Sequence, residues 1–269
     1  MSAQTFRNLH QPPALLVLPN AWDAGSARLI ESLGARAIAT TSAGVAWARG
    51  YPDGNTLPTD QLVAAVRDIK RVIQVPLTID LEAGYSNDPL AVARLTSRIL
   101  DVGVAGINIE DGADSPDLLC TKIEAIRKQA AGVNLDLFIN TRTDVYLRGL
   151  ASGTAAVEEV IRRAERYRAA GCDGLFVPGL SDADAMAEIA AAIEPLPLNV
   201  MAIPGLPTID VLRKSGVRRL SAGSAIAQAA LGCTSRLAME FLAGTIGSLF
   251  TASAAYGQVN QLFTGAVHD

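Results

Sequence analysis

The chain lacks several features that would assign it to a common class of protein. Its three cysteines, at positions 120, 172 and 233, form no CxxC pair, so neither a disulfide framework nor a zinc site is indicated. No apolar run reaches the ~18–20 residues that a membrane helix needs, and the first residues, MSAQTFRNLHQ, lack the apolar core of a secretory signal. The net charge is −4 with both signs dispersed, which disfavours nucleic acid as a partner. These absences predict a cytoplasmic protein with no membrane or nucleic-acid partner.

Apolar residues are abundant and fall into a regular alternation of segments. They make up 49% of the 269 residues, which allows a large core. Apolar residues at three- and four-residue spacing predict helices, most clearly over residues 59–73 and 155–170. Between the helical segments, short apolar runs predict eight strands, over residues 15–18, 37–41, 77–79, 106–109, 137–139, 175–177, 199–203 and 219–221.

Eight strand–helix units of about 25–30 residues fit a (β/α)₈ TIM-type barrel. A doubly wound sheet is the alternative, but the first strand and its loop, LLVLPNAWDAGS, contain no GxGxxG phosphate loop. No segment resembles an interdomain linker. The sequence therefore predicts one barrel domain over residues 1–269.

The C-terminal segment, residues 224–269, is poor in charge. Only Arg236, Glu240 and Asp269 are charged there, whereas a solvent-facing helix pair would carry a charged face. We expect these helices to pack on a neighbouring subunit in a homo-oligomer.

Acidic residues stand at the ends of consecutive predicted strands. Asp80 and Glu82 end one strand at alternate positions, which would place both on one side of it. Glu110 ends the next strand, and Arg142 and Asp144 end the one after that. The carboxyl ends of barrel strands open into the active site, where clustered carboxylates would repel unless a cation lay among them. Hard oxygen ligands suit Mg²⁺ or Mn²⁺, so Asp80, Glu82 and Glu110 are the candidate metal ligands.

Other residues near these strand ends are candidates for binding an anionic substrate. Arg142 offers a rigid donor fork for a carboxylate or phosphonate, and Asp144 could hold it by ion pairing. Asn140 precedes Arg142 at an alternate position on the same strand. Ser42, Ala43 and Gly44 are small residues whose backbone N–H groups could approach an anion. Each motif also has an ordinary explanation: helix capping, a barrel-end salt bridge or turn chemistry.

Taken together, these motifs resemble the isocitrate lyase/phosphoenolpyruvate mutase superfamily over nearly the whole chain. The resemblance rests on the order of PNAWDAGSARLIESLGARAIATTSAGVA, YPDG, the Asp80–Glu82 strand end, GINIED, NTRTD and IPGLPTIDVLRKSGVRRLSAGS. It implies a (β/α)₈ barrel, usually with a C-terminal helix exchanged in a homodimer or homotetramer, and Mg²⁺ with a 2-oxo acid or enolate at the metal. Further implied roles are metal binding for Asp80, Glu82 and Glu110, a loop aspartate near metal and substrate for Asp53, substrate-carboxylate binding for Ser42 and Ala43, and substrate contact for Arg142.

The chain departs from the superfamily's lyases at two points. Their Lys- and Cys-containing loop corresponds here to EDGADSPDLLC, which has no Lys before Cys120, and we interpret Cys120 as structural. The sixth strand ends in Val177-Pro178-Gly179, where acyl lyases typically carry Glu. The mutase and phosphonate-hydrolase loops also use a Lys that is missing here.

The remaining groups suffice to bind a 2-oxo acid and stabilise its enolate. The leading hypothesis is therefore a Mg²⁺-dependent carbon–carbon lyase acting on a small 2-oxo acid or related carboxylate, similar to an oxaloacetate decarboxylase. In this hypothesis Arg142 and Asp53 are the catalytic candidates, while Ser42, Ala43, Gly44, Asp80, Asn140 and Arg142 bind substrate. The alternatives are a phosphonopyruvate-type P–C mutase or hydrolase and a non-catalytic 2-oxo acid binding protein.

Overall fold

The computed structural model describes residues 3–133, 135–251 and 253–264. In that part of the chain, parallel strands form one sheet in the order β1-β9-β8-β7-β6-β5-β4-β3-β2. The strands are Leu16–Leu18 (β1), Asn20–Ala21 (β2), Ile38–Thr40 (β3), Leu77–Asp80 (β4), Gly106–Glu110 (β5), Phe138–Arg142 (β6), Gly174–Phe176 (β7), Leu198–Met201 (β8) and Val217–Ser221 (β9). All eight predicted strands are confirmed.

The sheet curls into a nearly closed barrel because its first strand is shared between two neighbours. β1 pairs with β9, and β2 pairs with β3. Pro19, which has no N–H to donate to a ladder, separates these two pieces of what is otherwise one strand. The chain therefore has the predicted α/β fold, a TIM-type barrel.

Helices surround the barrel and connect its strands. They are Ala3–Asn8 (α1), Ala24–Ser32 (α2), Ser42–Trp47 (α3), Thr59–Val72 (α4), Pro89–Leu100 (α5), Pro116–Gly132 (α6), Gly153–Ala170 (α7), Ala183–Ala192 (α8), Ile209–Lys214 (α9), Ala225–Leu242 (α10) and Tyr256–Phe263 (α11), with a 3₁₀ turn at Gly247–Phe250. α4 and α7 match the two helices that the apolar spacing predicts. No helix within the described ranges is long and apolar enough to cross a bilayer.

Aromatic side chains close the barrel interior at its N-terminal end, and a layer of polar side chains lies above them. Helix α1 closes the N-terminal end with Phe6, which is fully buried against Leu16 and Phe138. Above this layer, the side-chain amide of Asn140 donates hydrogen bonds of 3.0 Å to the Oδ1 atoms of Asn108 and Asn199. The polar layer leads upward to the carboxyl ends of the strands, where the charged side chains gather.

Candidate active site

A cavity of about 480 Å³ lies at the carboxyl ends of β3 to β6, the end at which barrel enzymes place their active sites. A second cavity, of about 530 Å³, lies at the opposite end beside α1 and α8. The first contains most of the predicted site residues. Its lining consists of Ser42, Asp53, Gly54, Asn55, Glu82, Ala83, Glu110, Gly112, Ala113, Asp114, Arg142, Asp144, Leu147 and Arg148.

Arg142 is the central cation of this cavity and binds two carboxylates. Its Nε and Nη2 atoms donate to the two oxygens of Asp144, at 2.6 and 2.9 Å. Its Nη1 atom lies 2.6 Å from Glu110 Oε2, because Glu110 and Arg142 are register partners at the ends of β5 and β6. The predicted Asp144–Arg142 pair is confirmed, and the Glu110 contact is an addition to it. Burial opposes the charge of Arg142, but these carboxylates raise its pKa above the usual value.

Glu110 lies among more negative charge than Arg142 neutralises. Burial raises the pKa of Glu110 to about 8 against the opposing effect of Arg142, and Asp80, Asp144 and Glu82 add to the rise. An extra cation beside these carboxylates would lower that pKa by favouring the ionised form. The electrostatics therefore match the prediction of a cation at this place.

Asp80 and Glu82 do not project from one strand as the sequence predicts. β4 ends at Asp80, whose carboxylate accepts the Ser42 N–H at 3.3 Å. Glu82 lies beyond the strand with φ at +50°, in the left-handed region, because the chain turns there toward α5. The two residues remain adjacent, since the Glu82 N–H lies 3.4 Å from Asp80 Oδ1. The expectation of strand alternation was wrong, although both residues reach the same end of the barrel.

The Glu82 carboxylate fastens a loop over the cavity. It accepts the Tyr85 hydroxyl at 2.7 Å and a short hydrogen bond from the Asn55 N–H. Burial raises the pKa of Glu82, and the nearby charges of Asp53 and Asp80 contribute. Asp53 lines the same cavity, and its role near metal and substrate stays a prediction. Asn55 and Tyr85 carried no sequence signal of this role, because the contact joins two loops that are far apart along the chain.

The segment from Ser42 to Gly44 forms the first turn of α3 rather than an open loop. Ser42 lines the cavity, but its N–H is directed at Asp80. Ala43 and Gly44 are buried beneath it. A Cβ atom at Gly44 would lie 2.8 Å from the Cβ of Trp22, so this glycine permits close packing. The described geometry therefore brings only Ser42 of the three into the cavity lining.

Asn140 lies in the barrel interior and does not line the cavity. It is 1% exposed, and its amide donates to Asn108 on the neighbouring strand β5 and, across the barrel interior, to Asn199 on β8. Alternation along β6 places it on the same side as Arg142 but one step deeper. Its position is that of a support beneath the site.

Asp111 is a supporting residue that the sequence reasoning missed. It is fully buried and accepts hydrogen bonds from the Asp144 N–H at 2.9 Å, Arg163 Nη1 at 2.7 Å and the Tyr167 hydroxyl at 2.6 Å. Arg163 and Tyr167 are four residues apart on α7, a spacing that places both on one helix face. Asp111 therefore fixes the loop that presents Asp144 to Arg142.

The acidic residues fit a magnesium ion held largely through water. Among the described residues, no three His, Cys, Asp or Glu side chains are close enough together to enclose a metal directly. Mg²⁺, however, usually keeps several waters and takes one or two protein carboxylates. Asp80, Glu82 and Glu110 supply hard oxygen donors in a place with excess negative charge, so the donor set suits Mg²⁺ or Mn²⁺.

The fold and the site together define a class: barrel enzymes with an acidic site at the carboxyl ends of the strands. Within that class, the chain belongs to the phosphoenolpyruvate phosphomutase family, whose model matches residues 6–242. This places it in the isocitrate lyase/phosphoenolpyruvate mutase superfamily, as the motifs predict, and it is an enzyme of the lyase or mutase type.

Three similar proteins illustrate the range of this family. An uncharacterised protein of Mycobacterium tuberculosis is 39% identical over 82% of each chain. An oxaloacetate decarboxylase of Pseudomonas entomophila is 31% identical over 85% of this chain and 81% of its own. The crystal structure of a candidate phosphonomutase from Burkholderia cenocepacia has a TM-score of 0.84 and is 36% identical, covering 88% of this chain and 99% of that one.

Proposed function

We propose that the protein is a Mg²⁺-dependent carbon–carbon lyase that decarboxylates a small 2-oxo acid of the oxaloacetate type. The observation that carries the proposal is the composition of the cavity: a carboxylate cluster and Arg142 without a lysine or cysteine in the lining. The similarity to the Pseudomonas decarboxylase supports the same reaction.

Decarboxylation needs few protein groups because CO₂ leaves without a proton transfer. Asp80, Glu82 and Glu110 would hold Mg²⁺, which when bound would act as a Lewis acid toward negative charge developing on the 2-oxo oxygen. Arg142, fixed by Glu110 and Asp144, would orient the substrate and add positive charge beside it. Ser42 and Asp53 lie at the cavity edge, where they would contact substrate or its water shell.

The residues that acyl lyases use are absent from the cavity lining. Cys120 is half-buried on α6 and packs against the core, and burial raises the pKa of its thiol. Lys122 is buried, and its ammonium group donates to the Ala83 carbonyl at 2.8 Å. Neither side chain is available as a nucleophile or proton donor to a ligand in the cavity. This favours charge stabilisation over acid–base cleavage.

A phosphonopyruvate-type P–C mutase or hydrolase is the second candidate function. The similarity to the candidate phosphonomutase of Burkholderia cenocepacia favours it. The same cavity would accept a phosphonate, since Arg142 can donate to either anion. A non-catalytic 2-oxo acid binding protein is disfavoured by membership in a family of lyases and mutases.

Calorimetry with MgCl₂ tests the metal assignment. Asp80→Ala should abolish Mg²⁺ binding, since Asp80 is close enough to both Glu82 and Glu110 for its charge to raise the pKa of each, and the remaining carboxylates would not complete the coordination. Asp101→Ala is the matched control, because Asp101 is exposed at the opposite end of the barrel after α5. Unchanged Mg²⁺ affinity in Asp80→Ala would refute the assignment.

Steady-state rates with Mg²⁺ then separate the functions. Turnover of oxaloacetate in preference to phosphonopyruvate and methylisocitrate supports the decarboxylase, and a preference for phosphonopyruvate supports the second candidate. Saturable binding of oxaloacetate with no turnover of any of the three would support the binding protein.

A further inference from the structure

We propose that Arg148 determines substrate specificity by binding the carboxylate of a 2-oxo dicarboxylate that lies remote from C1 and C2. The inference rests on the proposed function and concerns the same cavity. It assigns a role to a residue that no sequence motif singled out.

The charges of the cavity lining make Arg148 the available cation. Two arginines line the cavity, and Arg142 is already bound to Glu110 and Asp144. Arg148 is exposed at the rim, and its side chain has no ion pair or hydrogen bond with any residue in the described part of the chain. Asp114 lies in the same lining, and its carboxylate is 4.0 Å from the Lys122 ammonium group, which partly offsets its charge.

The backbone of Arg148 is held in place from two directions. Its N–H donates to the Asp144 carbonyl at 2.9 Å, and Asp144 is itself fixed by Arg142 and by Asp111. On the other side, Gly179 packs against the chain just before Arg148: a Cβ atom there would lie 3.0 Å from the Leu147 nitrogen. The loop is therefore a fixed base from which the Arg148 side chain can reach into the cavity.

Gly179 allows the loop with Leu147 and Arg148 to approach the end of β7. Its φ is +85°, and it has no side chain that would occupy the space next to Leu147. A larger side chain would displace that loop, so Gly179 helps to fix the position of Arg148 at the rim.

A cation at the remote carboxylate would act on binding more than on the chemical step. In decarboxylation the C3–C4 bond breaks, its electron pair passes into the enolate, and the C4 carboxylate leaves as neutral CO₂. Arg148 would therefore attract the carboxylate most strongly before the bond breaks. Such ground-state binding lowers KM without raising kcat.

The test compares Arg148→Met with the wild-type enzyme, using oxaloacetate as substrate and oxalate as inhibitor. Oxalate has oxygens on two adjacent carbons, as C1 and C2 of oxaloacetate do, but it lacks the remote carboxylate that Arg148 would bind. For Arg148→Met we expect the KM for oxaloacetate to rise roughly fivefold or more, kcat to stay level or increase, and the oxalate inhibition constant to change less than twofold. Arg148→Lys, which keeps the charge, should recover part of the KM loss.

Arg213→Met is the matched control, since Arg213 is an exposed arginine on α9 paired with Asp210 and remote from the cavity. An unchanged KM in Arg148→Met, or equal weakening of oxaloacetate and oxalate, would overturn the role of Arg148. Failure of the wild-type protein to turn over oxaloacetate or to bind oxalate would instead overturn the proposed function and this inference with it.

Discussion

Arg142 makes one contact that the sequence predicts and another that it does not. Its pairing with Asp144 follows from two positions in one short segment, and the sequence predicts it. Its pairing with Glu110 depends on the register between β5 and β6, which aligns residues 32 positions apart along the chain. Local spacing contains no information about that register, so this contact emerges only from the folded barrel.

Replacing Arg142 should lower catalytic efficiency, whereas replacing Cys120 should leave it nearly unchanged. Arg142→Ala removes a charge-assisted contact worth about 1.5–3 kcal/mol, so kcat/KM for oxaloacetate should fall at least about tenfold. Cys120→Ser should retain activity within a few fold, because the thiol lies outside the cavity lining. Steady-state kinetics of both variants provide the check. If Cys120→Ser were inactive while Arg142→Ala stayed active, the decarboxylase mechanism would be wrong and a cysteine-dependent mechanism would take its place.

His10 should make the protein sensitive to mild acid. The ring is buried beneath the barrel, stacked on Phe138, and burial together with the charge of Arg219 lowers its pKa from 6.5 to about 3. The folded state therefore holds His10 neutral, whereas the unfolded state protonates it near pH 6.5. Its contribution to stability is complete above that pH and is lost as the pH falls toward 3.

His10→Leu should remove this contribution to the pH dependence. Between pH 6.5 and 5, the wild-type free energy of unfolding should fall relative to that of the variant by up to about 1.4 kcal/mol per pH unit. Urea denaturation at several pH values measures the difference, and other titrating groups cancel in the comparison. Parallel pH curves for the two proteins would show that His10 is not the responsible group.

At the scale of the secondary-structure elements, the strands were predictable and their ends were not. Buried parallel strands are continuous apolar runs, and each predicted run overlaps an observed strand. The turns after β3 and β4 depend instead on contacts between loops. Ser42 begins a helix there, and Glu82, which has a positive φ, is held through its carboxylate by Asn55 and Tyr85. Such contacts leave no periodic pattern in the sequence.

Gly84, in the turn between β4 and α5, should be sensitive to substitution. Its φ is +93°, and a Cβ atom there would lie 2.8 Å from a methyl group of the buried Val92. Gly34 has the same φ, but a Cβ atom added there would have nothing within 4 Å, so Gly34→Ala measures the cost of backbone strain alone. Gly34→Ala should cost about 1–2 kcal/mol of stability, and Gly84→Ala a further 1–3, roughly, from overpacking. Chemical denaturation measures both; equal losses would show that Val92 yields without cost.

At the scale of the whole molecule, the sequence predicts the barrel, while the assembly stays a proposal. Along the C-terminal helices, large apolar side chains are exposed in the described chain, including Leu231, Met239, Leu242, Phe250 and Tyr256. Residues 252 and 265–269 of this segment lie outside the described residues. Exposed apolar surface of this kind is typical of a face that packs against another subunit.

We therefore expect a homodimer or homotetramer in which α10 and α11 pack on a neighbour. Light scattering at micromolar concentration should give a mass of at least twice 28.1 kDa. Met239→Lys with Leu242→Lys would place charge on that face and should shift the protein toward monomer, whereas Arg94→Lys on the exposed face of α5 should not. A monomeric mass for the unaltered chain would contradict the expectation.

The broken first strand has a consequence for how the molecule is made. Leu16 pairs with Arg219, so the seam of the barrel joins segments that are 203 residues apart along the chain. At roughly 5–20 residues per second, a ribosome needs about 10–40 s to pass from one partner to the other. During that interval β1 lacks its partner β9, and the face of α1 that is buried in the folded protein has no complete barrel to pack against. The β1–β9 pairs can therefore form only after residues 217–221 have been synthesised, and until then this edge of β1 is open to pairing with other chains.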